Sequence, residues 1–202
     1  MMSKIYAFLF ALALGLGTTV TQAAVLDFED LASPGSGMVA LESYSADGFV
    51  ITSNTGLADS FGYMQTGASL YTGSTGLFNA YFDTLTVLVR EDGGAFNLLS
   101  LDLAHLFAET GAPGLVIFTG NLVGGGTVDQ QVWVTGGATA QTFALGFENV
   151  LSVSWAHGDS VFQFDNIELT DASPIPVPEP APLLLLGLGL LSLLAGRRRK
   201  AV

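Results

Sequence analysis

From Ala24 to about Thr170 the sequence breaks into short runs of β-branched, aromatic and leucine residues, separated by clusters of Gly, Asn, Asp and Ser. Short apolar runs bounded by turn-forming residues predict strands, and no stretch keeps a helical period long enough to compete. The strands fall at VLDFE, MVALESY, GFVITSN, FNAYFDTLTVLVR (as two strands or one bent one), FNLLSLDLAHL, GLVIFTGNLV, TVDQQVWV, QTFALGF, VLSVSWA and VFQFDNIELT. Strands at this spacing predict an all-β domain, a single antiparallel β-sandwich of jelly-roll type. Gly124, Gly125 and Gly126 supply the positive φ of a tight hairpin between GLVIFTGNLV and TVDQQVWV. In TVDQQVWV the apolar face is Val128, Val132 and Val134, interrupted by Gln130. The last three segments read as an antiparallel meander, joined around Glu148 and Asn149 and through HGDS.

Two apolar blocks flank this domain. At the start, Lys4, the uninterrupted apolar stretch Ile5 to Gly17 and the small residues that follow form a secretory signal helix over residues 1–23. Thr21 and Ala23 place small side chains three and one residues before a cut after Ala23, so the Sec translocon and signal peptidase are the expected partners and Ala24 the first mature residue. The sandwich then occupies residues 24–171, and the proline-rich 172–180 is an extended spacer. Residues 181–202 hold a charge-free, leucine-rich segment, Ala181 to Gly196, followed by Arg197, Arg198, Arg199 and Lys200. As a helix it is about 24 Å long against a hydrocarbon core of roughly 30 Å. A basic cluster beside an apolar segment stays on the cytoplasmic side, so this tail stops transfer while the domain lies outside.

Val177, Pro178, Glu179 and Pro180, then the leucine-rich helix, then the arginine cluster, resemble the PEP-CTERM sorting signal of exopolysaccharide-producing Gram-negative bacteria. The resemblance implies a membrane-embedded exosortase that cleaves in the Pro178–Glu179–Pro180 region. It implies export, transient anchoring in the inner membrane and final residence at the cell surface or outside the cell. The role expected of the domain is structural or adhesive, within extracellular polysaccharide or biofilm. A glycan-binding module is the alternative, and a secreted carbohydrate-active enzyme ranks below both.

Charge narrows the choice. Between Ala24 and Pro176 only Arg90 is basic, against seventeen Asp and Glu. Such a surface repels phosphate backbones and anionic lipid, which excludes nucleic acid as a partner, and it attracts cations. The chain has no cysteine, so thiol catalysis and disulfide staples are excluded as well.

The densest local chemistry is Phe162-Gln163-Phe164-Asp165-Asn166-Ile167-Glu168-Leu169. Simple alternation puts Val161, Asp165, Ile167 and Leu169 on one face, and a carboxylate facing a core needs a partner. A calcium ion is one answer, since calcium takes six to eight oxygens in flexible geometry; backbone N–H donors at a strand end are another. The closing Asp-Asn-Ile and the opening Val25-Leu26-Asp27-Phe28-Glu29-Asp30 resemble the two ends of bacterial jelly-roll domains, among them carbohydrate-binding modules. Those domains hold a structural calcium between first and last strands. The resemblance makes Asp165 the late ligand and one of Asp27 or Glu29 the early one.

Elsewhere the simpler readings prevail. Glu91-Asp92-Gly93-Gly94 is a polar turn, Asp102 and His105 lie on opposite strand faces, and His157 belongs to a solvated turn with Asp159. No Gly-x-Ser-x-Gly turn exists, neither histidine is placed to activate a serine, and no enzyme is expected. Tyr44, Phe61, Tyr63, Tyr71, Phe78 and Tyr81 lie in or beside glycine-rich segments, where an exposed ring stacks on a sugar; most belong to the core, as do Trp133 and Trp155.

Overall fold

A computed structural model describes residues 23–172 except 83, 108–112, 136 and 158–159, and of His157 only the backbone. The signal segment, the spacer with Pro178, Glu179 and Pro180, the apolar tail and Arg197 to Lys200 lie outside the described residues. Among the described residues no helix is long and apolar enough to cross a membrane.

Among the described residues twelve strands run in chain order: β1 (Ala23–Leu26), β2 (Met38–Leu41), β3 (Tyr44–Ala46), β4 (Phe49–Ser53), β5 (Phe61–Met64), β6 (Leu77–Asn79), β7 (Thr86–Arg90), β8 (Phe96–His105), β9 (Gly114–Leu122), β10 (Thr127–Val134), β11 (Gln141–His157) and β12 (Phe162–Asp171). One 3-10 turn, Glu29–Leu31, follows β1. Every pairing is antiparallel. One layer runs β2-β5-β6-β12-β8 and ends on the first half of β11, with β1 also on β12. The other runs β10-β9, the second half of β11, β7, β4 and β3. β11 belongs to both, pairing β8 through Gln141–Val150 and then β9 and β7 through Ser152–Trp155.

The layers close on an aromatic core. Phe164 of β12 meets Trp155 of β11 edge-on at 5.1 Å, Phe28 at 5.9 Å and Phe61 at 6.4 Å, and Trp155 also meets Phe118 of β9 at 5.4 Å. With no cysteine, these rings and the buried leucines carry the stability. The hairpin β9–β10 forms as its three glycines demand, with φ of 91°, 99° and 88°.

Three readings of the pattern are corrected. MVALESY divides into β2 and β3, and FGYM adds β5 where no strand was read. QTFALGF and VLSVSWA are one strand, because Gly146 and Asn149 take positive φ (64° and 53°) and bulge the ladder instead of reversing it. The closing segments are not a meander, since β8 lies between β11 and β12.

Candidate functional site

A second bulge decides where Asp165 points. Asn166 sits at φ 47° and the register of β12 against β8 slips between Asp165 and Glu168. The extra residue inverts the alternation. Phe162, Phe164, Ile167 and Leu169 all join the core, while Asp165 faces outward, paired across the ladder with Asp102. Asp165 does not share a face with Ile167 and Leu169, as simple alternation required. It is buried all the same, at 6% exposure, beneath the segment 74–76.

Glu29 reaches the same place from the other end of the chain. Phe28, wholly buried against Tyr44 and Phe164, takes φ 55°, a left-handed kink that is costly for a bulky residue. The kink precedes Glu29, whose Oε1 accepts from the Thr75 N–H at 2.9 Å and lies 2.8 Å from Ser74 Oγ. Ser74 Oγ is also 2.6 Å from Asp165 Oδ2, and Asp165 Oδ1 accepts from the Asn166 N–H at 2.7 Å. A hydroxyl has one proton, so it cannot donate to two ionised carboxylates at once. The hydroxyl therefore satisfies one carboxylate at a time, and the other keeps its remaining donors, the Thr75 N–H for Glu29 and the Asn166 N–H for Asp165. Burial pushes the Asp165 carboxyl up to about 6, against the pull of its Ser74 and Asn166 hydrogen bonds.

Asp27 stays apart from this bridge: its Oδ1 accepts from the Glu29 N–H at 3.2 Å. Asp102 is held by Thr142 Oγ1 at 2.5 Å and Asn166 Nδ2 at 2.9 Å. Between Asp102 and Asp165 opens a cleft of about 70 Å³, walled by Thr72, Ser74 and Gln163, whose buried Nε2 has no hydrogen-bond partner. Among the described residues no group of three or more His, Asp or Glu side chains is arranged around a common metal position. Glu29 and Asp165 form a pair, with Ser74 and the cleft beside them.

Other candidates resolve plainly. Ala23 begins β1, exposed, opposite Thr170. His105 is buried against Phe162 at 4.7 Å on the face opposite Asp102, and its Nε2 lies 3.4 Å from the Val134 carbonyl. Asp92 in the polar turn pairs with Arg90 at 2.9 Å. Tyr44, Phe61, Tyr63 and Phe78 are core, and Tyr81 donates its hydroxyl to Asp59 at 2.7 Å.

Trp133 is the ring that sequence reasoning misplaced. It is 58% exposed, not core, because Val132 and Val134 take the inward face of β10 and leave it outward. That signal was present in the alternation of TVDQQVWV. Trp133 stands opposite Leu115 and edges a groove of about 680 Å³ with Leu85, Ile117, Thr119, Ser154 and Ser160. Among the described residues no charged side chain lines the groove.

Residues 176–200 match a family model described as the PEP-CTERM protein-sorting motif. The chain therefore carries a PEP-CTERM sorting motif. The motif implies export, passage through the membrane and processing by an exosortase. No curated protein matches the chain. Among solved structures, a Family 11 carbohydrate-binding module from Clostridium thermocellum, in complex with a β-1,3-1,4-mixed-linked tetrasaccharide, has 16% identity and a TM-score of 0.35, over 77% of this chain and 98% of that one. The CBM22-1 xylan-binding domain from Paenibacillus barcinonensis Xyn10C has 14% identity and a TM-score of 0.35, over 78% and 99%. The C-terminal domain of a chitobiase from Bacteroides fragilis has 10% identity and a TM-score of 0.35, over 62% and 98%. Likenesses at this level carry no argument about ligand or activity.

Proposed function

We propose that the sandwich attached to the sorting motif is a non-catalytic adhesive domain that binds glycan outside the cell, with Trp133 as its stacking platform. One observation carries this reading. A large aromatic ring, more than half exposed, edges a groove whose other walls, among the described residues, are aliphatic and hydroxyl-bearing and carry no charged side chain. Sugar rings present an apolar C–H face and a rim of hydroxyls, which such walls match. The acidic surface around the groove favours uncharged polysaccharide over uronic-acid or sulfated chains.

The carboxylate bridge is read as structural. A calcium ion would be held here by the Glu29 and Asp165 carboxylates with the Ser74 hydroxyl, and would supply positive charge between the two acids. Bound there, calcium would tie the first turn and the last strand to the 74–75 segment.

The binding test is affinity electrophoresis or pull-down on neutral and acidic polysaccharides, with wild type and Trp133→Ala. Saturable binding to a neutral glycan, weakened about thirtyfold or more in the variant, is the expected result. Retention that is unaltered by the substitution would remove Trp133 from the site; no saturable binding to any glycan would end the reading.

A further inference from the structure

At the opposite end of β12 from Asp165, a cavity of about 180 Å³ is lined by Ala24, Asp47, Phe49, Arg90 and Asp171. Its charges do not balance. Arg90, the one base of the exported domain, is shared between Asp92 and Asp171, and its guanidinium lies over the Phe49 ring at 5.9 Å. Asp47, in the turn between β3 and β4, stands on the same cavity and, among the described residues, has no ion pair of its own. Two carboxylates, Asp47 and Asp171, thus line the cavity with one cation that is also engaged by Asp92, and no other Lys or Arg lies between Ala24 and Pro176 to make up the difference.

Ala24 is the residue that can. In the uncut chain it contributes a neutral peptide N–H. Hydrolysis of the Ala23–Ala24 bond by signal peptidase consumes one water, leaves a carboxylate on departing Ala23 and frees an amine on Ala24. That amine takes up a proton at neutral pH, its ordinary value being about 7.7–8.0. We propose that this cavity is the binding site for the chain's own processed amino terminus, and that the Ala24 ammonium created by leader removal pairs with Asp47 and Asp171 beside Arg90. The proposal rests on cleavage after Ala23. By this device removal of the leader supplies the missing charge, and fastens β1 to the strand that leads into the sorting segment.

Leader removal and tail removal together give a clean test, because the chain from Ala24 to Arg199 contains no lysine. The α-amine is then the only primary amine of the secreted protein, and acetylation modifies it alone. The secreted form is collected, its first residue and acetyl count are read by mass spectrometry, and melting is compared before and after acetylation. Acetylation is expected to lower the melting temperature at pH 7 by about 2–4 °C. An ammonium gaining carboxylate partners has a raised pKa, so its contribution is whole below the unfolded value and is lost as pH climbs through the folded one. The gap should therefore close between about pH 8 and pH 10. It should also shrink in Asp47→Asn, a substitution that the left-handed φ of 51° tolerates. Equal melting at pH 7, or a gap that persists unchanged at pH 10, overturns the proposal. A first residue other than Ala24 overturns the cleavage reading beneath it, and the two failures are told apart by the mass alone.

Discussion

Across the outer side of one layer the paired positions read Asp129, Thr119, Ser154, Val87 and Thr52, with Gln131, Ile117 and Ala156 in the next row and Trp133 beside Leu115 beyond it. Across the outer side of the other they read Asp165, Asp102 and Thr142, then Glu168, Ser100 and Ala144. The backbone lattice is the same in both. What differs is how each face must be completed. The first pairs its carboxylate, Asp129, with the Thr119 hydroxyl and leaves the Trp133 ring exposed beyond it, the feature on which the glycan proposal rests. The second sets Asp165 opposite Asp102 with no Lys or Arg in either row, and burial pushes the Asp165 carboxyl up; the calcium proposed for it would supply positive charge there.

Four measurements break or sharpen this contrast. The largest effect belongs to neither face: Phe164→Ala, beneath both, should cost about 3–5 kcal/mol in denaturant unfolding and abolish function on either side. Next, calcium at a hundred times its dissociation constant should stabilise the wild type by about 2.7 kcal/mol over chelator, a difference that Ser74→Ala or Asp165→Asn removes. Equal melting in calcium and chelator would dismiss the ion. Third is pH, in chelator. The folded Asp165 carboxyl titrates near 6, above its ordinary 3.8, so the folded state binds the proton more tightly. The Asp165 contribution to stability should then be whole below about pH 4 and be lost, by on the order of 2 kcal/mol, as pH rises through 6, read as the difference between wild type and Asp165→Asn. The smallest effect is on the Trp133 face: Trp133→Ala, the variant expected to weaken glycan binding, should alter stability by less than about 0.5 kcal/mol.

The pattern of apolar runs was enough to name the class, because it counts strands without needing to know their faces. It failed where parity changes within a strand. Asn149 and Asn166 each insert one residue, and nothing in the alternation of QTFALGFENVLSV or FQFDNIEL marks which residue is the extra one. Asp165 was therefore singled out rightly as a carboxylate in need of a partner but assigned to the wrong side. Glu29 and Ser74 are 45 residues apart, and their meeting depends on the Phe28 kink, which no local rule foretells. Trp133 is the opposite case: its outward placement follows from Val132 and Val134, and only the habit of counting tryptophan as core concealed it.

The seat of β12 bears on timing. It is an interior strand, flanked by β6 and β1 on one side and β8 on the other, yet it is synthesised last. A chain threaded amino end first through a membrane must hold an open, half-built sheet until Phe162–Asp171 has emerged. Residues 172–180 follow it, with a reach of about 30 Å when fully extended. The transient membrane anchoring that the sorting motif implies would hold the polypeptide while that last strand joins the sheet, before the protease releases it.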